Sequence, residues 1–285
     1  LLNVPAGRCL AVSIDTLVEG RHFLPTVAPD ALGHKALAVN LSDLAAMGAE
    51  PAWVTLAITL PAPDTAWLRA FVDGFARLAA QHNVQLVGGD TTRGPLSITV
   101  QAHGFVDPAF ALRRSGGVVG DRLFVSGTVG DAGLALRRMR DNAKIEAEDS
   151  YLLARLDRPT PRVALGRLLL GCATAAIDVS DGLAADLRHL CQASGAGARI
   201  DLARLPVSPA VAAACGRGEW HYALAGGDDY ELLFSVGADQ ADKVLAACAA
   251  AGEAVQEIGC LVDEEGIALV YPDGHVSKEI PDGFD

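Results

Sequence analysis

The sequence predicts an α/β protein (α+β layers) built as two domains. Its 285 residues are about twice an ordinary domain length. Short apolar runs alternate with longer segments of helical periodicity in both halves. Between them, Asp107 to Gly120 carries a proline, paired arginines and adjacent glycines. That places the boundary there, with domains over 1–112 and 113–285.

Leu10 to Ile14 reads as a buried strand. Asp30 to Met47 has apolar residues at helical spacing, and Gly48 is a natural stop. Trp53 to Leu60 is a strand between Pro51 and Pro61. Asp64 caps a helix to about His82, with Trp67, Leu68, Phe71, Phe75 and Leu78 on one face. Val84 to Val87 and Leu96 to Val106 complete the first half as strands. In the second, Leu123 to Ser126 is a strand and Ala132 to Met139 a helix. Arg140 to Asp149 reads as an exposed connection. Helices follow near Tyr151 to Leu156 and Arg162 to Leu170. A strand ends at Asp178, and a helix covers Leu183 to about Ala193. Glu231 to Val236 is a strand and Ala238 to Ala251 a helix. Strands near Ile258 to Val262 and Ala268 to Tyr271 finish the chain. A faint echo links L-V-G-G-D (86–90) with L-A-G-G-D (224–228), each ahead of a strand-like run.

Composition narrows the function. Apolar residues are 51% and charged residues 20%, which excludes a disordered polar chain. The formal charge of −12 weighs against general nucleic-acid binding. No uninterrupted apolar stretch is long enough to span a bilayer. None of the six cysteines forms a C-x-x-C pair, so reduced thiols and a cytoplasmic location are expected. The chain begins at Leu1 rather than Met and has no signal peptide, which suggests a truncated start.

Chemistry is suggested by apolar runs that end in aspartate: A-V-S-I-D at Asp15, L-V-G-G-D at Asp90, and A-A-I-D at Asp178 with Asp181 close behind. In layered α/β folds functional groups gather at strand ends. One such Asp is more simply a turn or helix cap. Three of them, with Asp43, favour a site for hard divalent cations that bridge carboxylates to phosphates. Gly88-Gly89-Asp90 could bring backbone amides up to a phosphate, or could be only a tight turn. Arg113 and Arg114 before Ser115-Gly116-Gly117 could clamp a phosphate, or be solvated linker charges. His22 follows the Asp15 strand closely and is otherwise a surface or structural histidine. G-x-x-x-x-G-K-[ST], G-x-G-x-x-G and G-x-S-x-G are all absent.

Six stretches then resemble the thiamine-monophosphate kinase family, in the superfamily of aminoimidazole ribonucleotide synthase and selenophosphate synthetase. They are S-I-D-T-L-V-E-G-R-H-F (13–23), N-L-S-D-L-A-A-M-G-A (40–49), L-V-G-G-D-T-T-R-G (86–94), R-R-S-G-G (113–117), I-D-V-S-D-G-L (177–183) and G-G-D-D-Y-E-L-L-F (226–234). The resemblance implies an amino-terminal ATP- and Mg²⁺-binding domain that pairs in a homodimer, and a carboxyl-terminal α/β sandwich. It implies transfer of the ATP γ-phosphoryl to thiamine monophosphate, in thiamine diphosphate biosynthesis. By motif, Ser13, Ile14, Asp15, Asp43, Asp90, Asp178 and Asp181 would hold several Mg²⁺ ions. Gly89, Asp90, Arg114 and Ser180 would contact ATP. His22, Asp228 and Phe284 would contact thiamine monophosphate. No covalent nucleophile is implied, and neither nucleic acid nor membrane is an expected partner.

The family begins with a G-D-D motif, which carries one Mg²⁺ ligand, upstream of the position of Leu1, and this sequence lacks that segment. Where the family has G-G-E-D-Y-E, this chain has G-G-D-D-Y-E, so a water-mediated contact from Asp228 is expected. The competing expectations are another ATP-dependent synthase of the superfamily and a non-catalytic nucleotide-binding protein.

Overall fold

The computed structural model describes residues 1–141 and 149–280. Four strands form the first sheet: β1 (Cys9–Val18), β2 (Glu50–Leu60), β3 (Gln85–Arg93) and β4 (Ser97–Val106), in the order β1-β4-β2-β3. Two helices, α1 (Pro29–Ala46) and α2 (Thr65–Gln81), pack together beside it. Asp64 caps α2 as expected, its Oδ1 accepting from the amides of Ala66 and Trp67 at 3.0 and 2.9 Å. The two helices cross almost backbone to backbone. A Cβ on Gly33 would sit 2.0 Å from the Phe71 carbonyl oxygen, and one on Gly74 only 1.8 Å from that of Asp30.

After a connection over 107–121, the second sheet is built from β5 (Arg122–Ser126), β6 (Ala173–Val179), β7 (Gly197–Asp201), β8 (Glu231–Val236), β9 (Val255–Val262), β10 (Ile267–Val270) and β11 (Val276–Ser277), in the order β11-β10-β7-β9-β5-β8-β6. Its helices are α3 (Asp131–Arg140), α4 (Asp149–Asp157), α5 (Val163–Leu168), α6 (Leu183–Ser194), α7 (Pro209–Gly216), α8 (His221–Ala225) and α9 (Ala241–Ala250). Among the strands of the described residues, only β2–β3 and β7–β10 pair in parallel. The sheets are therefore mixed and mainly antiparallel, the α+β form of the expected class.

Helix α1 joins the two halves. It is buried on nearly every side, as a helix apolar all round must be. One hydrophobic core runs from Val54, Ile98 and Val100 of the first sheet through Leu37, Leu41 and Leu44 of α1 to Phe124 and Phe234 of the second. A second core fills the opposite face of the larger sheet, under α3, α4 and α6.

Several expectations are corrected. Asp15 and Asp90 do not end their strands: β1 runs on to Val18 and β3 to Arg93. Both are edge strands, where polar residues meet solvent without cost, so Thr16, Thr91 and Thr92 extend them. Only Asp178 lies near a strand's carboxyl end, one residue before Val179. The echo between 86–90 and 224–228 has no structural counterpart, because the first lies within β3 and the second spans the end of α8 and a turn. Strand β7 and helices α7 and α8 are additional to the expected elements. Most of the expected 140–149 connection lies outside the described residues.

Candidate active site

The site forms where α1, β1, β6 and the turn ahead of β8 meet. Helix α1 has 3.6 residues per turn, so Lys35, Val39, Ser42 and Asp43 fall within an arc of about 100°. That stripe faces β1 on one side and the end of β6 on the other. The Ser13 hydroxyl of β1 donates to Asp43. The Ser42 hydroxyl donates to Asp178 of β6 at 2.8 Å. Beyond β6, the Asp228 amide donates to the Ser180 carbonyl and the Tyr230 amide to that of Val179, both at 2.8 Å.

A cavity of about 380 Å³ opens among these elements. Asp15, His22, Lys35, Asp43, Asp178, Ser180, Asp181 and Asp228 all line it. Sequence positions spread over more than 200 residues are thus brought to one place.

The carboxylates oppose one another. Burial pushes the Asp15 carboxyl up to about 7, helped by the charge of Asp43, a hydrogen bond with it, and the charge of Asp181. Burial pushes Asp178 up to about 8, with Asp43 adding to it and the Ser42 hydroxyl opposing it. Asp186 is pushed up to about 7 by burial and by Asp181, although it accepts from the amides of Ser180 and Asp181 at 3.0 and 3.1 Å. Among the described residues, no lysine or arginine is among the main influences on Asp15 or Asp178.

A cluster of oxygen donors held at this cost suits a hard divalent cation. Among the described residues, no three such side chains close around one point as a ready-made cage. Mg²⁺ fits that arrangement, because it commonly takes one or two carboxylates and completes its shell with phosphate oxygens and water.

The remaining expected residues are placed differently. Ile14 is 61% exposed and turns its side chain away from the helices, leaving only its backbone for a ligand. His22 accepts from the Val18 amide through Nδ1 at 3.0 Å, so its Nε2 is left to address the cavity. Gly89 and Asp90 stand at the far edge of the first sheet. Asp15 pairs with Val100, Val100 with Leu56, and Leu56 with Gly89. Three strand spacings therefore separate Asp15 from Gly89, about 14 Å. Gly89 serves packing: a Cβ there would lie 1.8 Å from the Leu56 carbonyl oxygen, whereas Gly88 is open. Arg114 borders the Ser180–Asp181 turn, near enough to lower the pKa of Asp186. Its segment is tied to β6 by the Ala176 amide donating to the Arg113 carbonyl at 2.8 Å. Phe284 lies outside the described residues.

Sequence reasoning missed Lys35, Ser42, Asp186 and Tyr230. Lys35 Nζ donates to Asp228 Oδ2 at 3.0 Å, and the Tyr230 hydroxyl to Asp228 Oδ1 at 3.0 Å. The Asp228 carboxylate is therefore gripped by two protein side chains. The helical stripe shared by Lys35 and Asp43 was a readable signal. Tyr230 depends on backbone geometry that no spacing reveals.

The sequence matches the AIR synthase related protein N-terminal domain over residues 1–106 and the corresponding C-terminal domain over residues 118–272. It is 53% identical to the thiamine-monophosphate kinase of Salmonella typhimurium over 239 residues, covering 83% of this chain and 74% of that protein. Identity to the Caulobacter vibrioides thiamine-monophosphate kinase is 41% over 273 residues, 93% of this chain and 77% of the relative. The crystal structure of thiamine-monophosphate kinase from Stenotrophomonas maltophilia superposes with a TM-score of 0.92 at 46% identity, covering 97% of this chain and 89% of that one. A structure of AaThiL complexed with AMPPCP and TMP gives a TM-score of 0.87 at 31% identity, with coverages of 99% and 88%. The hydrogenase maturation protein HypE of E. coli, at 24% identity and a TM-score of 0.81, shares the fold.

Proposed function

The chain belongs to the thiamine-monophosphate kinase family of AIR synthase related proteins, and on that premise we propose that it phosphorylates thiamine monophosphate with ATP, giving thiamine diphosphate and ADP. The observation that carries this reading is the set of mutually repelling carboxylates, Asp15, Asp43, Asp178 and Asp181, lining one cavity with His22 and Asp228. The complex of a family member with AMPPCP and TMP supports the same pair of ligands here.

The acceptor is a phosphate oxygen, anionic at neutral pH, so the reaction needs no general base. The obstacle is the approach of two polyanions to an acidic protein. The carboxylates, with Ser13 and the Ile14 backbone, would hold Mg²⁺, which when bound would supply the charge neutralisation that an in-line displacement requires. The chain's own groups then hold and orient: Gly89, Asp90, Arg114 and Ser180 toward ATP, and His22, Asp228 and Phe284 toward thiamine monophosphate. Transfer is direct, since every well-placed aspartate is needed as a ligand and the six cysteines are free thiols outside the cavity. Free thiols and ATP as donor fit a cytoplasmic reaction. Among the described residues, no helix is long and apolar enough to cross a membrane.

The position of Asp90 calls for a second copy of the chain. Helices cover one face of the first sheet. On the other, Val12 is 48% exposed, and Trp53 and Phe105 meet edge to face at 5.0 Å. Strands β1 and β3 are both open edges. Because Asp15 and Gly89 share one row of the sheet, a two-fold axis parallel to the strands keeps that level. It sets β3 of one subunit beside β1 of the other, and carries Asp90 toward the partner's carboxylates.

The test is ³¹P NMR of the protein with ATP, Mg²⁺ and thiamine monophosphate. A new diphosphate doublet pair beside ADP is expected. ATP that is bound and left intact would favour the non-catalytic alternative.

A further inference from the structure

Lys35 is only 2% exposed, yet it lies in a cavity whose dominant charge is negative. Its Nζ meets Asp228 Oδ2 at 3.0 Å. It is also close enough to Asp157 to oppose the rise that burial imposes on that carboxyl. The second oxygen of Asp228 accepts from Tyr230. The backbone around this carboxylate is held in an unusual state: Asp228 has φ +68° and Tyr230 φ +50°, both left-handed. Such a conformation is strained for a residue with a side chain and persists only where its surroundings impose it. Here the amides of both are fixed to the end of β6. Asp228 is thus immobilised at its backbone and at both oxygens.

Position along α1 separates two tasks. Lys35 and Asp43 stand about 12 Å apart along the helix axis at 1.5 Å per residue. The phosphate-binding carboxylates occupy the Asp43 end. The Lys35 end adjoins Leu156 and Asp157, a site for the organic part of a ligand. A bare ammonium there would repel the cationic thiazolium ring of thiamine monophosphate. Paired with Asp228, its charge is masked, and the fixed carboxylate offers its remaining lone pairs to the ligand.

We propose that Lys35 is a positioning residue that acts through Asp228, aiming its carboxylate at the two-ring end of the substrate and so setting affinity for that substrate rather than the rate of phosphoryl transfer. This rests on the thiamine-monophosphate kinase reading above.

The test is a double-mutant cycle on the full chain with K35M, D228N and the double variant. KM for thiamine monophosphate and kcat are measured, with calorimetric Kd for thiamine monophosphate alone. K35M is expected to raise KM and Kd by about tenfold or more, with a smaller change in kcat, the signature of lost ground-state binding. The double variant should be no worse than D228N, because Lys35 acts through that carboxylate. Losses that multiply, or a fall in kcat at constant KM, would overturn the proposal. Should K35M fail to fold, K35Q completes the same cycle. If wild-type protein neither binds nor converts thiamine monophosphate, the kinase reading falls and the role of Lys35 with it. Conversion by wild type with multiplying losses overturns the Lys35 role alone.

Discussion

Asp178→Asn is expected to lower turnover by about 10²–10³-fold, the usual cost of removing one fixed electrostatic contact with a reacting group. The side chain is 5% exposed and isosteric with asparagine, whose carbonyl can still accept from Ser42. The same substitution should stabilise the protein in the absence of divalent cations. Asp178 has its pKa raised from 3.8 to about 8, chiefly by burial and then by Asp43. The folded chain therefore holds this proton more tightly than the unfolded chain. The resulting stability is fully present below about pH 4 and is lost as pH rises through about 8. Asparagine has no proton to lose. With EDTA present and pH above about 8, the variant should melt at a higher temperature than wild type while turning over far more slowly. Wild-type turnover, or a lower melting temperature throughout that range, would remove Asp178 from the site.

Glu231→Ala is expected to cost about 3–5 kcal/mol of stability, because it strips a buried charge network of its acid. Glu231 is fully buried at the start of β8. Its carboxylate accepts from Arg162 Nε and Nη2, both at 2.6 Å, from Arg155 Nη2 at 2.8 Å and from the Ser126 hydroxyl at 2.5 Å. Without it, Arg162 loses its carboxylate partner and Arg155 keeps only the longer contact with Asp131 at 3.7 Å. The damage should also reach the site, since Glu231 follows Tyr230 directly and anchors the turn that presents Asp228. Urea unfolding checks the first effect, and a loss under about 1 kcal/mol would contradict it. Raised KM for thiamine monophosphate in the folded fraction checks the second.

Helix α2 was legible because its cap at Asp64 and its apolar face are local features. Helix α1 was legible by length and its Gly48 stop, but its burial on all sides, and so its place between two sheets, was not. Of the aspartates expected at strand ends, Asp15 and Asp178 line one cavity with Asp181, while only Asp178 lies near the end of its strand. Asp15 and Asp90 sit within edge strands, and only pairing partners far along the chain reveal that these edges lie on opposite sides of one sheet. Strand β7 escaped notice because Gly197 is required by a distant contact: a Cβ there would lie 1.8 Å from the Glu264 carbonyl oxygen. Helix α7 carried a readable start, with Ser208 capping ahead of Pro209. The grip on Asp228 by Lys35 and Tyr230 joins α1 to a left-handed turn nearly two hundred residues later, which no local pattern encodes.

In the proposed reaction, the carboxylates of α1, β1 and the end of β6 bind the metal ions that let two phosphorylated ligands meet. Anomalous diffraction from crystals grown with Mn²⁺, a non-hydrolysable ATP analogue and thiamine monophosphate measures this most directly. Peaks are expected within coordination distance of Asp15, Asp43, Asp178 and Asp181, with Asp90 of a second subunit completing the set. Both ligands held in the cavity with no anomalous peak beside those four residues would contradict it.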